Sequence, residues 1–212
     1  MKPSEVFVRN QQLVWPKDNL SLGYKLTVDY NHPYLKRRGL ELETLAEFGV
    51  GHCTAGPLQN RIAIPVFNTQ EWLVGYAGRI PGEPTAKRSK YKFLTNGYLG
   101  TELFNLNRVQ HERTDPIVLV TGFFDVMHLW QLGWRNVVSL MDWELKSGQM
   151  ARLLHHFPTR RFIGLFDETD YGRSARESVS RELPAHAFVH VVKFRQEGKL
   201  VESLTATELE DL

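Results

Sequence analysis

The sequence predicts an α/β protein, a layered sheet with helices on both faces, preceded by a smaller α+β subdomain. Three observations predict it. Ile117-Val118-Leu119-Val120 has the continuous apolar character of a strand buried on both faces. Helix and strand patterns alternate from there to the end of the chain. Upstream, two apolar runs flank Asn68-Thr69-Gln70, as expected of a β-hairpin. At 212 residues, 42% of them apolar, the chain can give both parts a core.

Residues 1–30 have mixed polarity, with Pro16 and Gly23 as breakers, and read as an arm packed onto something else. Asn31-His32-Pro33 opens the subdomain, expected over 31–113. Leu35, Leu42, Leu45 and Phe48 suit two short helices joined at Gly39 and closed by Gly49 and Gly51. Ile62 to Phe67 and Trp72 to Ala77 are the hairpin strands. Pro81-Gly82-Glu83-Pro84 then breaks the sheet and begins a loop. The second domain, expected over 114–212, starts near Thr114-Asp115-Pro116. Its first strand is followed by a helix with Val126, Leu129 and Trp130 on one face, ended by Gly133. Val137 to Leu140 is a second strand, Gly148 to His156 a helix, and Arg161 to Phe166 a third strand. Gly172 to Leu183 is a further helix and Ala187 to Phe194 a fourth strand. A parallel sheet built this way holds ligands at the carboxyl ends of its strands.

Composition excludes some classes. Cys53 is the single cysteine, so an internal disulfide and a multi-cysteine zinc site are both ruled out, and His52 beside it completes no ligand set. No zinc is expected. Single-cysteine usage fits a reducing cytoplasm. Met1 to Asn10 lack a long apolar core, and no run is long enough to span a bilayer. The expectation is a cytoplasmic protein with no membrane partner. A net charge of +2 does not by itself announce a nucleic-acid binder. Its distribution is uneven, with eight Lys/Arg against four acids between Arg61 and Arg113.

Within that stretch Lys87, Arg88, Lys90 and Lys92 pass two aromatics, Tyr91 and Phe93. Cations suit phosphates and π faces suit bases, so the pattern fits a track for a nucleic-acid strand. The alternative is a strand edge guarded by lysines. In the second domain, carboxylates fall at two strand ends: Asp125 after Val120-Thr121-Gly122, and Asp167-Glu168-Thr169-Asp170-Tyr171-Gly172 after Phe166. Such acids suit magnesium, which takes oxygen ligands and bridges to phosphate. Acids that open a helix also serve as N-caps or favourable dipole partners, an equally good account of Asp167 and Asp170. Trp15, Trp134 and Trp143 fall near expected element ends, where they would either pack the core or meet a protein partner.

Gly122-Phe123-Phe124-Asp125-Val126, Asn136-Val137-Val138-Ser139-Leu140, Phe166-Asp167 and Gly172-Arg173-Ser174-Ala175 follow one another in an order that resembles the Toprim domain of DnaG-type bacterial primases. Upstream, Arg61 to Val66, Gly75 to Arg79, Ser89-Lys90-Tyr91 and Leu103 to Leu106 resemble, in order, the basic subdomain that precedes Toprim in those enzymes. The similarity runs from about His32 to Leu212. It implies a Toprim-like layered sheet and a role on nucleic acid, with Arg61, Arg79 and Lys90, joined by Lys92, as nucleic-acid-binding residues. It also implies a residual acidic site of Asp125, Asp167 and Glu202.

That site departs from the family. Thr121 stands where the resemblance calls for an essential glutamate, Thr169 replaces the second aspartate of Asp-x-Asp-x-x-Gly, and Leu200 replaces the first acid of Gly-x-Asp-Pro-Asp, leaving Glu202 at the second. Two-metal phosphoryl transfer needs enough anionic oxygen to hold both ions. With three ligands replaced, Asp125, Asp167 and Asp170 are expected to hold at best a weak single magnesium. The family's amino-terminal zinc module has no cysteines to build it here. The leading expectation is a catalytically impaired primase-like module that binds single-stranded or duplex nucleic acid as a subunit or scaffold of a larger DNA-processing assembly. The alternatives are an active magnesium-dependent Toprim polymerase or nuclease, and a purely structural subunit.

Overall fold

The computed structural model describes residues 7–9, 12–14, 21–97, 99–109, 116–157, 161–183, 187–194 and 196–210. Trp15, Thr114 and Asp115 lie outside them. In chain order the elements are β1 (Phe7–Arg9), β2 (Gln12–Val14), α1 (Pro33–Arg37), α2 (Leu42–Phe48), β3 (Gly51–Cys53), β4 (Arg61–Phe67), β5 (Leu73–Arg79) and β6 (Tyr91–Thr95). There follow β7 (Ile117–Val120), α3 (Phe123–Gln131), β8 (Val137–Ser139), α4 (Ser147–His156), β9 (Arg161–Leu165), α5 (Asp170–Glu182), β10 (Phe188–Val192) and α6 (Ala206–Glu210). They form two compact units, one of residues 19–99 and one of residues 1–18 with 100–212.

The unit of residues 19–99 is built on an antiparallel sheet in the order β3-β4-β5-β6. The expected hairpin is there, with Ile64 opposite Ala77 and Val66 opposite Gly75. Its turn is held by the Asn68 side chain, whose Oδ1 accepts from the backbone N–H groups of Gln70 and Trp72 at 3.0 and 2.9 Å. Ala63, Leu73 and Tyr76 pack with Cys53 and Leu58 in one core. The stretch expected as a loop after Pro84 returns to the sheet as β6, with Tyr91 opposite Arg79 and Phe93 opposite Ala77. It is an edge strand, so its residues are only partly buried and carry no clean alternation to read. The two short helices are as expected: His32 caps α1, its Nδ1 accepting from the Tyr34 N–H at 3.2 Å, and Gly49 closes α2 at φ +64°. Burial and the neighbouring His52 ring lower the pKa of His32.

The other unit holds the parallel sheet, in the order β10-β9-β7-β8. β7 lies in the interior with β8 on one side and β9 on the other, which is why all four of its residues are buried. Ile117 and Leu119 share a core with Leu145, Leu153, Val179 and Leu183, from the loop before α4, from α4 and from α5 with its carboxyl end. Val118 and Val120 are equally buried and point the other way. The chain steps from β7 to β8 in one direction and from β8 through β9 to β10 in the other. Right-handed crossovers therefore set α3 on one face and α4 and α5 on the opposite face, the expected layering.

The segment before β7 is tied to this sheet by polar bonds. Phe104 and Ser139 exchange backbone hydrogen bonds, both at 3.1 Å. Gln149 of α4 donates through Nε2 to the carbonyls of Glu102 and Leu140, at 2.9 and 2.7 Å. Beside it the Arg152 and Glu102 side chains form a buried ion pair at 3.2 Å. Among the described residues, no helix is long and apolar enough to cross a membrane.

Candidate functional site

The reversal of direction at β7 defines a crevice. Connections leave β7 and β9 toward opposite edges of the sheet, and the carboxyl ends between them are the place where open parallel sheets take ligands. The residues at those ends are the candidate site.

From β7 the chain runs Thr121-Gly122 into α3. Asp125 sits in the first turn and is buried; its Oδ2 accepts from the Gly122 N–H at 2.8 Å. A carboxylate there satisfies an orphan donor and meets the positive end of the helix dipole. The turn is tight: a Cβ at Gly122 would stand 2.7 Å from that same oxygen. Thr121 supplies its carbonyl to the Ser139 hydroxyl at 2.6 Å, which ties the ends of β7 and β8.

From β9 the chain runs Phe166 to Gly172. Asp167 Oδ1 accepts from the Val201 N–H at 2.7 Å, so the structure brings Asp167 to the Leu200–Ser203 segment that carries Glu202. Glu168 is buried and accepts from two donors, the Arg176 guanidinium and the Phe194 N–H, the latter at 3.2 Å. Thr169, standing where the resemblance calls for an aspartate, is the N-cap of α5; its hydroxyl accepts from the Gly172 N–H at 3.2 Å. Asp170 points outward and pairs with Arg173 at 2.5 Å, a contact that raises the pKa of Arg173. Of the two acids read as possible caps or dipole partners, neither is the N-cap, but Asp170 lies in the first turn of α5, where a carboxylate meets the positive end of the helix dipole. Gly172 is required by crowding, since a Cβ there would lie 2.0 Å from the Asp167 carbonyl oxygen. Among the described residues, no three His, Cys, Asp or Glu side chains form a group that could hold a metal ion.

The basic candidates belong to the other unit. Arg61 is buried and holds strands together, its Nη1 donating to the carbonyls of Gly78 and Ser89 at 2.9 and 3.1 Å. Burial, with the nearby charge of Arg88, lowers its pKa. Arg79 braces α1 against the sheet edge. Its guanidinium donates to the Tyr34 hydroxyl and, at 3.3 Å, to the Tyr91 hydroxyl, and lies 5.7 and 5.5 Å from the two ring centroids. Lys87, Arg88, Lys90 and Lys92 are exposed. Lys92 Nζ donates to the Pro57 carbonyl at 3.0 Å and Arg88 to that of Asn60 at 3.3 Å. Phe93 beside Lys92 is 47% exposed. The track of cations and aromatics thus lies along the edge strand β6 and the loop before it.

Sequence reasoning missed two residues here. Arg176, two turns into α5, neutralises Glu168 across eight positions, a spacing that no local pattern reports. Tyr171 is 67% exposed in the turn opening α5 and meets the half-exposed Trp143 with ring centroids 5.6 Å apart. An aromatic inside an acidic, glycine-closed loop was its only signal.

The sequence matches the Toprim domain family over residues 115–193, the stretch that forms this sheet and its crevice. The chain is 26% identical over 219 residues to a DNA primase of Pseudomonas aeruginosa; the match covers 84% of this chain and 32% of that one. The chain therefore spans about a third of that primase's length. Among solved structures, that of the zinc-binding and RNA polymerase domains of Aquifex aeolicus primase aligns with TM-score 0.74 at 22% identity, over 84% of this chain and 53% of that chain. The DnaG primase catalytic domain bound to single-stranded DNA aligns with TM-score 0.65 at 20% identity, over 85% and 70%. The fold is that of a DnaG-type catalytic core with its Toprim domain.

Proposed function

We propose that this chain is a catalytically impaired, primase-like Toprim protein that binds nucleic acid as a cytoplasmic subunit or scaffold of a DNA-processing assembly. The observation that carries the reading is the state of the acids at the crevice. Thr121 and Leu200 bring no carboxylate, Thr169 is spent capping α5, Glu168 is neutralised by Arg176, and Asp170 faces outward against Arg173. Asp125, Asp167 and Glu202 are what remains. That set fits a pair of catalytic ions poorly. A single magnesium, which keeps most of its waters and needs only one or two carboxylates, is the most it would hold, and weakly.

Nucleic-acid binding is supported by the exposed Lys87, Arg88, Lys90 and Lys92 along β6 and by the fold, which in the DnaG relative was solved with single-stranded DNA. Arg61 and Arg79 keep β6 and α1 in place, so in this reading they position the track while the lysines meet phosphate. The buried free thiol of Cys53 suits a reducing compartment.

Binding of a single-stranded oligonucleotide, followed across a salt series, tests the interface. On a single strand each phosphate contact contributes about 0.7 to the slope of log affinity against log salt. Lys90→Ala and Lys92→Ala are each expected to weaken binding on every sequence and to lower that slope by about 0.7. Binding that ignores salt, or is unchanged in both variants, contradicts the proposed track.

A further inference from the structure

We propose that Trp143 and Tyr171 form a stacking platform for an unpaired nucleobase at the mouth of the Toprim crevice. The proposal rests on the nucleic-acid reading above and adds a subsite to it. Trp143 belongs to the loop after β8 and Tyr171 to the first turn of α5, which follows β9. Those two strands flank β7, so the two side chains meet across the carboxyl end of the interior strand. Their ring centroids are 5.6 Å apart at an interplanar angle of 41°, which leaves the pair open as a wedge. Trp143 is 50% and Tyr171 67% exposed, so neither ring is committed to a core and each keeps a π face available.

The charges around the pair suit a polyanion better than its acid count suggests. Asp142 is held by Lys146 at 2.5 Å and Asp170 by Arg173 at 2.5 Å. Of the three acids flanking the aromatics, Asp142 and Asp170 are thereby offset, and Glu144 is exposed. Arg173 is partly exposed, and its exposed partner holds it weakly, so a backbone phosphate can compete for the guanidinium. A flat aromatic ligand carrying a phosphate matches these features, and every base has the required face.

The test uses the full chain and compares two short oligonucleotides of equal length, one of thymidylate and one abasic. Trp143→Ala and Tyr171→Ala are each expected to weaken the thymidylate oligonucleotide about tenfold, the effect of losing roughly one stacked base. Affinity for the abasic oligonucleotide and the salt slope stay as in the parent, and Trp143→Phe keeps most of the thymidylate affinity. The proposal is overturned if the alanine variants bind thymidylate as the parent does, or lose affinity for both oligonucleotides equally. It is also overturned if they lose only a protein partner. If the parent chain binds neither oligonucleotide, the nucleic-acid reading itself has failed, a result separate from loss of stacking alone.

Discussion

Arg152→Ala is expected to lower the stability of the unit that holds the parallel sheet by about 3–5 kcal/mol. The Arg152 and Glu102 side chains are 4% and 2% exposed, and their ends meet at 3.2 Å. Truncating the arginine breaks this buried ion pair from one side, which is among the costliest single changes. The pair itself is worth far less than that loss, because both groups gave up hydration to form it. Replacing both together, with Arg152→Met and Glu102→Leu, is therefore expected to restore most of the lost stability. Urea denaturation reads both outcomes. A loss below about 1 kcal/mol for Arg152→Ala would mean that Glu102 is neutralised by other means.

Gly172→Ala is expected to cost about 1–3 kcal/mol or more, the range for forcing extra atoms into filled space. The added methyl would stand 2.0 Å from the Asp167 carbonyl oxygen, and the obstacle is backbone on both sides, so no rotamer change relieves it. The start of α5 must move off the end of β9, which strains the Thr169 cap and the Asp167 bond to Val201. Gly82→Ala is the control: its Cβ meets nothing within 4 Å, and the expected change is within about 0.5 kcal/mol. The comparison is read from the denaturation midpoints of the two variants. Equal midpoints would mean that the turn before α5 yields freely.

How far these features were legible in the sequence depended on how local their causes were. β7 announced itself because both its faces are covered, so four consecutive apolar residues marked it. β6 was legible only as the alternative of a strand edge guarded by lysines, because an edge strand with Lys92 and Phe93 exposed also looks like a polar loop. The acids at the strand ends were visible as such, and their order carried the Toprim resemblance, but their employment was not. Asp125 bonds three residues back, to Gly122, while Glu168 reaches Phe194 and Asp167 reaches Val201, partners that only the folded chain supplies. The same holds for Arg61, which reads as a phosphate contact by motif and is buried against two carbonyls of its own sheet. Thr169 is the instructive case. As a substitution it signals a lost ligand, and as a residue it is a good helix cap, and both readings describe the same hydroxyl.

The central claim is nucleic-acid binding without ordinary polymerase catalysis. The most direct test incubates the full chain with a single-stranded template, nucleoside triphosphates and magnesium or manganese, and resolves template binding and product synthesis in the same samples. The account predicts a shifted template and no metal-dependent product. Synthesis or cleavage that requires the metal and disappears in Asp167→Ala would contradict it and make this chain a working Toprim enzyme.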